Sequence, residues 1–389
     1  MKVSSNRTVD VGGETAGCRR LRVLVVAESF LPRVDGVANS VVRVLERLDR
    51  DGHDVVVVAA APGPDSWGRF PVVRVRSVGF PGYRDVRLAW GRRVIASVIA
   101  DFRPDVVHVA SPAVIGAVAL RESRRAGVPA VAVFQTDLAG FARSYGLPAL
   151  APLADRWVAA VHGLATSTLA PSSPSVSYLE SLGIHDVRRW PRGVDGMRFH
   201  PDRRSESLRS ALGAPGRTIV GYAGRLAKEK ELDRLIPIAE DPSVSLVIIG
   251  HGPCERELRS AMPAAAFLGF LAGDELATAI ASLDVFVHTG RHETFCQTVQ
   301  EALCAGIPVV APRAGGPIDL VEDGGNGLLW DPAVPGSLID CVDRVVGDAA
   351  FRRRLAERAR ASVVDRTWES VLSDLVGTYE QVASVEHAR

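Results

Sequence analysis

The sequence predicts two doubly wound, Rossmann-like α/β domains facing one another across a cleft. Three observations point to this. At 389 residues the chain is more than twice the size of an ordinary single domain. From Leu21 onward, short β-branched runs without polar alternation, the pattern of parallel strands covered on both faces, take turns with longer stretches of helical spacing. After the turn-rich segment Pro191 to Pro201 the same series begins again.

In the first series the expected strands are Arg22 to Ala27, Asp54 to Ala60, Val72 to Val75, Val106 to Val109, Ala130 to Gln135 and Leu164 to Ala170. Asn39 to Leu48 and Arg87 to Ala100 carry apolar residues at helical spacing between them. In the second, the strands are Thr218 to Ala223, Ser245 to Gly250, Ala266 to Gly269, Val285 to Thr289 and Pro308 to Ala311. Thr367 to Ser384 reads as an amphipathic helix with Trp368, Leu372, Leu375 and Tyr379 on its apolar side. The expected segments are a tail over 1–20, domains over 21–198 and 199–366, and a closing helix and tail over 367–389. In such sheets ligands sit beyond the carboxyl ends of the strands, which places the expected site in the cleft.

Composition narrows the function classes. Lys plus Arg (46) and Asp plus Glu (45) nearly cancel, so no global field attracts nucleic acid. With 47% hydrophobic and 23% charged residues the chain is an ordinary globular protein. Cys18, Cys254, Cys296, Cys304 and Cys341 are an odd set without metal-ligand spacing, which fits a reducing cytoplasm better than a disulfide framework. No apolar run reaches the ~18 residues of a membrane span, and the first 20 residues lack the apolar core of a signal peptide.

The segment Gly290 to Leu303 follows a strand and opens a helix near Thr294 to Gln297, whose free N–H groups and dipole suit a phosphate. Glu293 stands in the loop before it and Glu301 one turn inside; two surface carboxylates flanking a helix start fit equally well. Gly221 to Lys230 is a strand end running into a basic loop in which Arg225 and Lys230 can neutralise a diphosphate, or form a solvated mixed-charge turn. Gly250-His251-Gly252-Pro253 lets backbone approach closely, although a Gly pair with Pro is usually only a turn. Asp49-Arg50-Asp51 formally matches a metal-binding Asp-x-Asp, but its place before Gly52 reads as a helix-ending turn. Tyr83, Arg84, Arg87, Trp90, Arg92 and Arg93 form a basic, aromatic-bearing helix entry suited to an anionic membrane surface or simply to solvent.

Glu293 and Glu301 spaced as Glu-x7-Glu, the Gly224 to Lys230 loop, Arg192-Gly193-Val194-Asp195 before Phe199, and Ala305 to Val310 together resemble retaining GT-B glycosyltransferases of family four, over about Leu21 to Trp368. The opening Glu28 to Val37 and the segment His292 to Gln297 are most similar to actinobacterial GDP-mannose-dependent α-mannosyltransferases. The resemblance implies a GT-B architecture, with an acceptor-side N-terminal domain, a donor-binding C-terminal domain and a last helix crossing back to the first. It implies Arg225 and Lys230 on the donor diphosphate, Glu301 on the ribose, and Glu293 with the amides of Phe295, Cys296, Gln297 and Thr298 on the sugar and distal phosphate. Gly36 lies near the phosphate, and His108 and Asp137 join Glu293 as candidate catalytic residues, although a lone histidine at a strand end such as His108 is more often structural. Cys296, Lys228 and His251 depart from the commoner Gly, Pro and Asp.

The expected activity is transfer of a hexose, mannose from GDP-mannose, to an acceptor hydroxyl, lipid-linked in the nearest resemblance. The expected enzyme needs no metal or other cofactor, and it works in the cytoplasm or peripherally on the inner membrane face. Transfer from a UDP-sugar to a polysaccharide or natural product, a sugar-nucleotide epimerase and a silent sugar-nucleotide-binding protein are the alternatives. Base selection is expected around Phe267 to Phe270.

Overall fold

A computed structural model describes residues 19–33, 35–80, 83–89, 91–213 and 216–387, with the side chains of 78–89 and 385–387 outside the description. Among these residues two parallel sheets dominate. The first runs in the order Val187–Arg189, Ser167–Ala170, Ala130–Val133, Val106–Val109, Arg22–Ala27, Asp54–Ala60, Phe70–Val75, Ser66–Trp67, with only the last pair antiparallel. The second runs Ala266–Gly269, Val244–Ile249, Thr218–Ala223, Val285–Val287, Val309–Pro312, Gly327–Trp330 and is parallel throughout. Each order reverses direction beside its first strand, so each sheet has a switch-point crevice.

The strands are apolar on both faces because helices cover both, and each sheet accordingly divides two cores. One core of the first sheet is closed by the C-terminal helix Trp368–His387, whose Val371, Leu372, Leu375, Val376, Tyr379 and Val382 pack with Val23, Val25 and Val57. Trp190 Nε1 donates to Val371 O at 2.8 Å, and Arg47 donates to Ser373 Oγ at 2.9 Å. The chain thus returns to its first domain. Each such buried aliphatic side chain stabilises the docking by about 1.5–3 kcal/mol.

Several expected elements are corrected. Residues Tyr83–Ala89 are not a helix entry but a strand, paired antiparallel with Ser77–Phe80. Asp85-Val86-Arg87-Leu88 alternates in polarity, and helical spacing starts only at Arg92–Phe102, where Ile95 and Ile99 are buried one turn apart. The strand expected from Leu164 begins at Ser167. Val187–Arg189 and Gly327–Trp330 were not anticipated, being too short to show a period. Asp49 and Arg50 end the helix Gly36–Arg50 and Asp51 caps it, as the turn reading expects.

Candidate active site

The switch points of the two sheets face each other. In the C-terminal sheet Thr218–Ala223 opens into the loop holding Arg225 and Lys230, and its neighbour Val244–Ile249 into Gly250 to Pro253. The two loops touch: a Cβ on Gly250, whose φ is +130°, would collide with the carbonyl of Gly224, and one on Gly252 with that of Leu226. Only glycine permits that approach. A pocket of about 840 Å³ opens here, lined by Gly36, Gly224, Arg225, His251, Phe270 and Thr298 among others. Phe270 is 57% exposed and meets the His251 ring edge-on at 5.3 Å. Phe267 instead packs into the domain core under the Arg259 guanidinium, so of the expected base-selecting segment it is Phe270 that faces the pocket.

Beyond Val285–Val287 the chain passes His288, the loop with Glu293, and Cys296 as the cap of the helix Gln297–Cys304. Lys230 Nζ is ion-paired with Glu293 Oε1, their side chains 20% and 17% exposed. His288 Nε2 lies 3.1 Å from the same oxygen. Burial alone would raise the Glu293 carboxyl, but Lys230 and His288 outweigh it and hold it well below the usual carboxylate range. Burial likewise opposes the charge on His288, while Cys296 and Glu293 raise it to about 9. Gly315 and Gly316 fit tightly under this loop, where any Cβ would strike the carbonyls of Glu293 and Phe295. Nothing in the motif reading pointed to that pair.

Glu301, one turn into the helix, is half-buried. Burial raises its carboxyl to about 8 against the lowering effect of Gln297, Arg198 and Arg192. Its folded-state value exceeds the ordinary 4.5, so the folded protein binds an extra proton between those limits. The stability this contributes is full below the lower limit and lost as pH rises towards the upper one. Glu301→Gln is therefore expected to flatten the fall in Tm of the ligand-free protein between about pH 5 and 8. An unchanged slope in a thermal melt series would remove Glu301 as its source.

The N-terminal side contributes a second pocket of about 270 Å³, lined by Glu28, Ser111, Phe134, Gln135 and Thr136 among others. Glu28 accepts backbone N–H groups of Ala113, Val114 and Gly116 at the start of the helix Ile115–Ala126, and burial raises it to about 7 despite them. Gly36 begins the helix Gly36–Arg50, where Asp35 accepts from the amides of Val37 and Ala38 at 2.9 Å. Asp137 caps the helix Leu138–Ser144 and lies 3.6 Å from His292 Nδ1 across the cleft. Arg192, in the segment between the domains, donates to Gly36 O at 2.6 Å and to the Gln135 side chain. Thr294 Oγ1 donates to Gln135 O at 3.1 Å, and Gln297 Nε2 to Gly193 O at 3.1 Å.

His108 is the clear correction. It lies within Val106–Val109, the expected strand, but is 2% exposed, and its Nδ1 stands 2.8 Å from Tyr379 Oη of the C-terminal helix. Burial lowers it to about 4, leaving a neutral imidazole in the core. The cleft is lined instead by Gln135, two residues past the end of its strand; the strand end Gln135-Thr136-Asp137 was the available signal. Arg225, Thr298 and Gly36 line the large pocket, Lys230 pairs with Glu293 in the loop before the helix, and Glu301 lies among Gln297, Arg198 and Arg192. The side chains of Phe295 and Cys296 are buried, leaving their amides as the candidate contacts.

Two family models divide the chain between them: residues 34–198 match Glycosyltransferase Family 4, and 204–362 match Glycosyl transferases group 1. A "GDP-mannose-dependent alpha-mannosyltransferase" of Mycobacterium tuberculosis is 48% identical over 379 residues, 93% of this chain and 97% of that one. The chain is a family-four GT-B glycosyltransferase. A protein of the same description from Corynebacterium glutamicum is 42% identical, covering 94% of this glycosyltransferase and 90% of the relative. Sucrose-phosphate synthase from Thermosynechococcus elongatus shares the fold, with a TM-score of 0.78 at 18% identity over 94% of this glycosyltransferase and all of that chain. The substrates of this glycosyltransferase are a nucleotide-sugar donor and an acceptor. No described helix of the glycosyltransferase is long and apolar enough to cross a membrane.

Proposed function

We propose that this glycosyltransferase moves a mannosyl group from GDP-mannose to a hydroxyl of a lipid-linked acceptor, retaining the anomeric configuration. The observation that supports the donor is the 48% identity with a GDP-mannose-dependent relative along 93% of the chain. The nucleoside occupies the 840 Å³ pocket, with the base by Phe270 and His251 and the ribose on Glu301. Arg225, Lys230 and the amides at the start of Gln297–Cys304 bind the diphosphate, and Glu293 holds the sugar. The acceptor hydroxyl enters from the 270 Å³ pocket, near Gln135 and Asp137.

The sugar C1–O bond to the diphosphate breaks as the bond to the acceptor oxygen forms on the same face. The hydroxyl proton passes to the leaving phosphate, whose growing charge Arg225, Lys230 and the helix start stabilise. These fixed positive groups balance the diphosphate without a metal. The first test is a thermal-shift panel of GDP, UDP, dTDP and ADP with their hexose conjugates, with and without magnesium. Selective, magnesium-independent stabilisation by GDP and GDP-mannose is expected. Selective stabilisation by UDP conjugates would overturn the donor.

A membrane face favours a lipid-linked acceptor. The arginine-rich stretch Tyr83 to Arg93 is not the surface we choose: Tyr83–Ala89 is a strand, its side chains and Trp90 lie outside the described residues, and Arg92 pairs with Glu122 at 2.9 Å. Leu147, Leu150, Leu153 and Trp157, 52%, 48%, 63% and 38% exposed, instead line one side of Pro148–Leu150 and the helix Ala151–His162. Exposed Arg143 and Arg156 flank them, and the Arg121 guanidinium stands 5.8 Å from the Trp157 ring. An apolar stripe edged by cations suits an anionic bilayer. Val158 and His162 of the same helix line the acceptor pocket. Leu150→Glu with Leu153→Glu is expected to reduce sedimentation with phosphatidylglycerol-containing vesicles at least about tenfold. Unchanged co-sedimentation would remove this face.

A further inference from the structure

We propose that His288, Glu293 and Cys296 form a site for a thiophilic divalent cation such as zinc, and that its occupation blocks the donor. Their ligand atoms all lie within 4.8 Å of one another. Ligands of one tetrahedral zinc stand about 3.3–3.8 Å apart, so shifts of under about 1 Å gather the three. All come from one connection: His288 just after its strand, Glu293 in the loop, and Cys296 at the helix cap with a φ of 76°.

The imidazole is the decisive group. His288 is 2% exposed; its Nε2 faces Glu293 Oε1, and neither ring nitrogen makes a hydrogen bond of good geometry. Nε2 is 3.1 Å from Glu293 Oε1 but poorly aligned for a hydrogen bond. A bound cation would give the ring a well-directed ligand bond in place of this poorly aligned contact. The ring is held where it stands: it stacks on Tyr222 at 5.9 Å, and Trp330 Nε1 donates to the His288 carbonyl at 3.2 Å.

A thiolate and a carboxylate neutralise one divalent charge, with the thiol proton and any imidazolium proton released to solvent on binding. Sulfur and imidazole select zinc or cadmium over magnesium. Lys230 shares Glu293 Oε1, so the metal displaces its ammonium from that oxygen. Glu293, Lys230 and the Cys296 amide are also the groups assigned to the donor, so metal and donor exclude one another. That exclusion rests on the proposed donor site; the metal site does not.

Cobalt is the probe, added to the full chain. A thiolate-to-cobalt charge-transfer band in the near ultraviolet is expected. Zinc should abolish it, Cys296→Gly and His288→Asn should lack it, and Cys254→Ser should keep it. Glycine suits the positive φ at 296, so Cys296→Gly should fold, as circular dichroism checks. No band in the unsubstituted protein, or a band surviving Cys296→Gly, overturns the site. In parallel, zinc is expected to raise the apparent Kd for GDP-mannose at least about tenfold, reversibly on chelation. A cobalt band without this effect overturns the blockade and leaves the metal site standing. A cobalt band in a protein that binds no nucleotide sugar overturns the function proposed above instead.

Discussion

Glu293→Gln is expected to lower kcat/KM by about 10²–10³-fold and to cost about 3–5 kcal/mol of stability at neutral pH. The stability loss follows from what the carboxylate holds. Lys230 and His288 both approach Oε1, and all three side chains are at least four-fifths buried. An amide is isosteric but uncharged, so the lysine and the imidazolium are left facing each other without an anion. Because the Glu293 carboxyl sits below its ordinary value, its contribution to stability is present above that value and is lost only as pH falls through the lower one. The difference in Tm between wild type and variant should therefore persist from neutral pH down to mild acid. A variant as stable as wild type at neutral pH would show that the cluster is not held by charge, and full transfer activity would remove Glu293 from the sugar site.

Arg225→Ala is expected to reduce turnover to a similar extent while leaving Tm within a few degrees. Arg225 is half-buried in the wall of the large pocket, at the mouth of the loop after Thr218–Ala223. A guanidinium there can meet a diphosphate with two parallel hydrogen bonds, and removing one such donor costs about 3–4 kcal/mol of transition-state stabilisation. Arg225→Lys should recover part of the loss, since it keeps the charge but not the fork. Steady-state kinetics separate the outcomes. A fall in kcat beyond any rise in KM places the residue on the developing charge, whereas retained activity would sink the assignment of this loop.

Much of this architecture is legible without coordinates. Strands such as Asp54–Ala60 and Thr218–Ala223 announce themselves because a parallel strand buried on both faces must be apolar along its length. The loop with Arg225 and Lys230 and the helix start before Gln297 are legible because strand ends are where doubly wound sheets present ligand-binding groups. Less legible are the three- and four-residue strands Val187–Arg189 and Gly327–Trp330, which are defined by their neighbours' edges rather than by any period of their own. Tyr83–Ala89, the second strand of the hairpin with Ser77–Phe80, reads as a helix entry because Arg87 to Ala100 runs two patterns together.

His108 marks the boundary between the two kinds of knowledge. Its motif made it a candidate for the cleft, and nothing local to Val107-His108-Val109 says which face of the sheet the ring occupies. That is set by Tyr379, 271 residues away, whose hydroxyl meets it inside the core. The same holds for Asp137 with His292 and for Gln135 with Thr294, pairs brought together only when the domains face each other. The sequence by itself determined the fold class, the family and the charged groups of the donor loop, because each is written in spacing along one element. Tertiary structure alone decided which side chains reach the cleft and which leave their ordinary pKa, because burial and cross-domain contact depend on residues that no local pattern brings together.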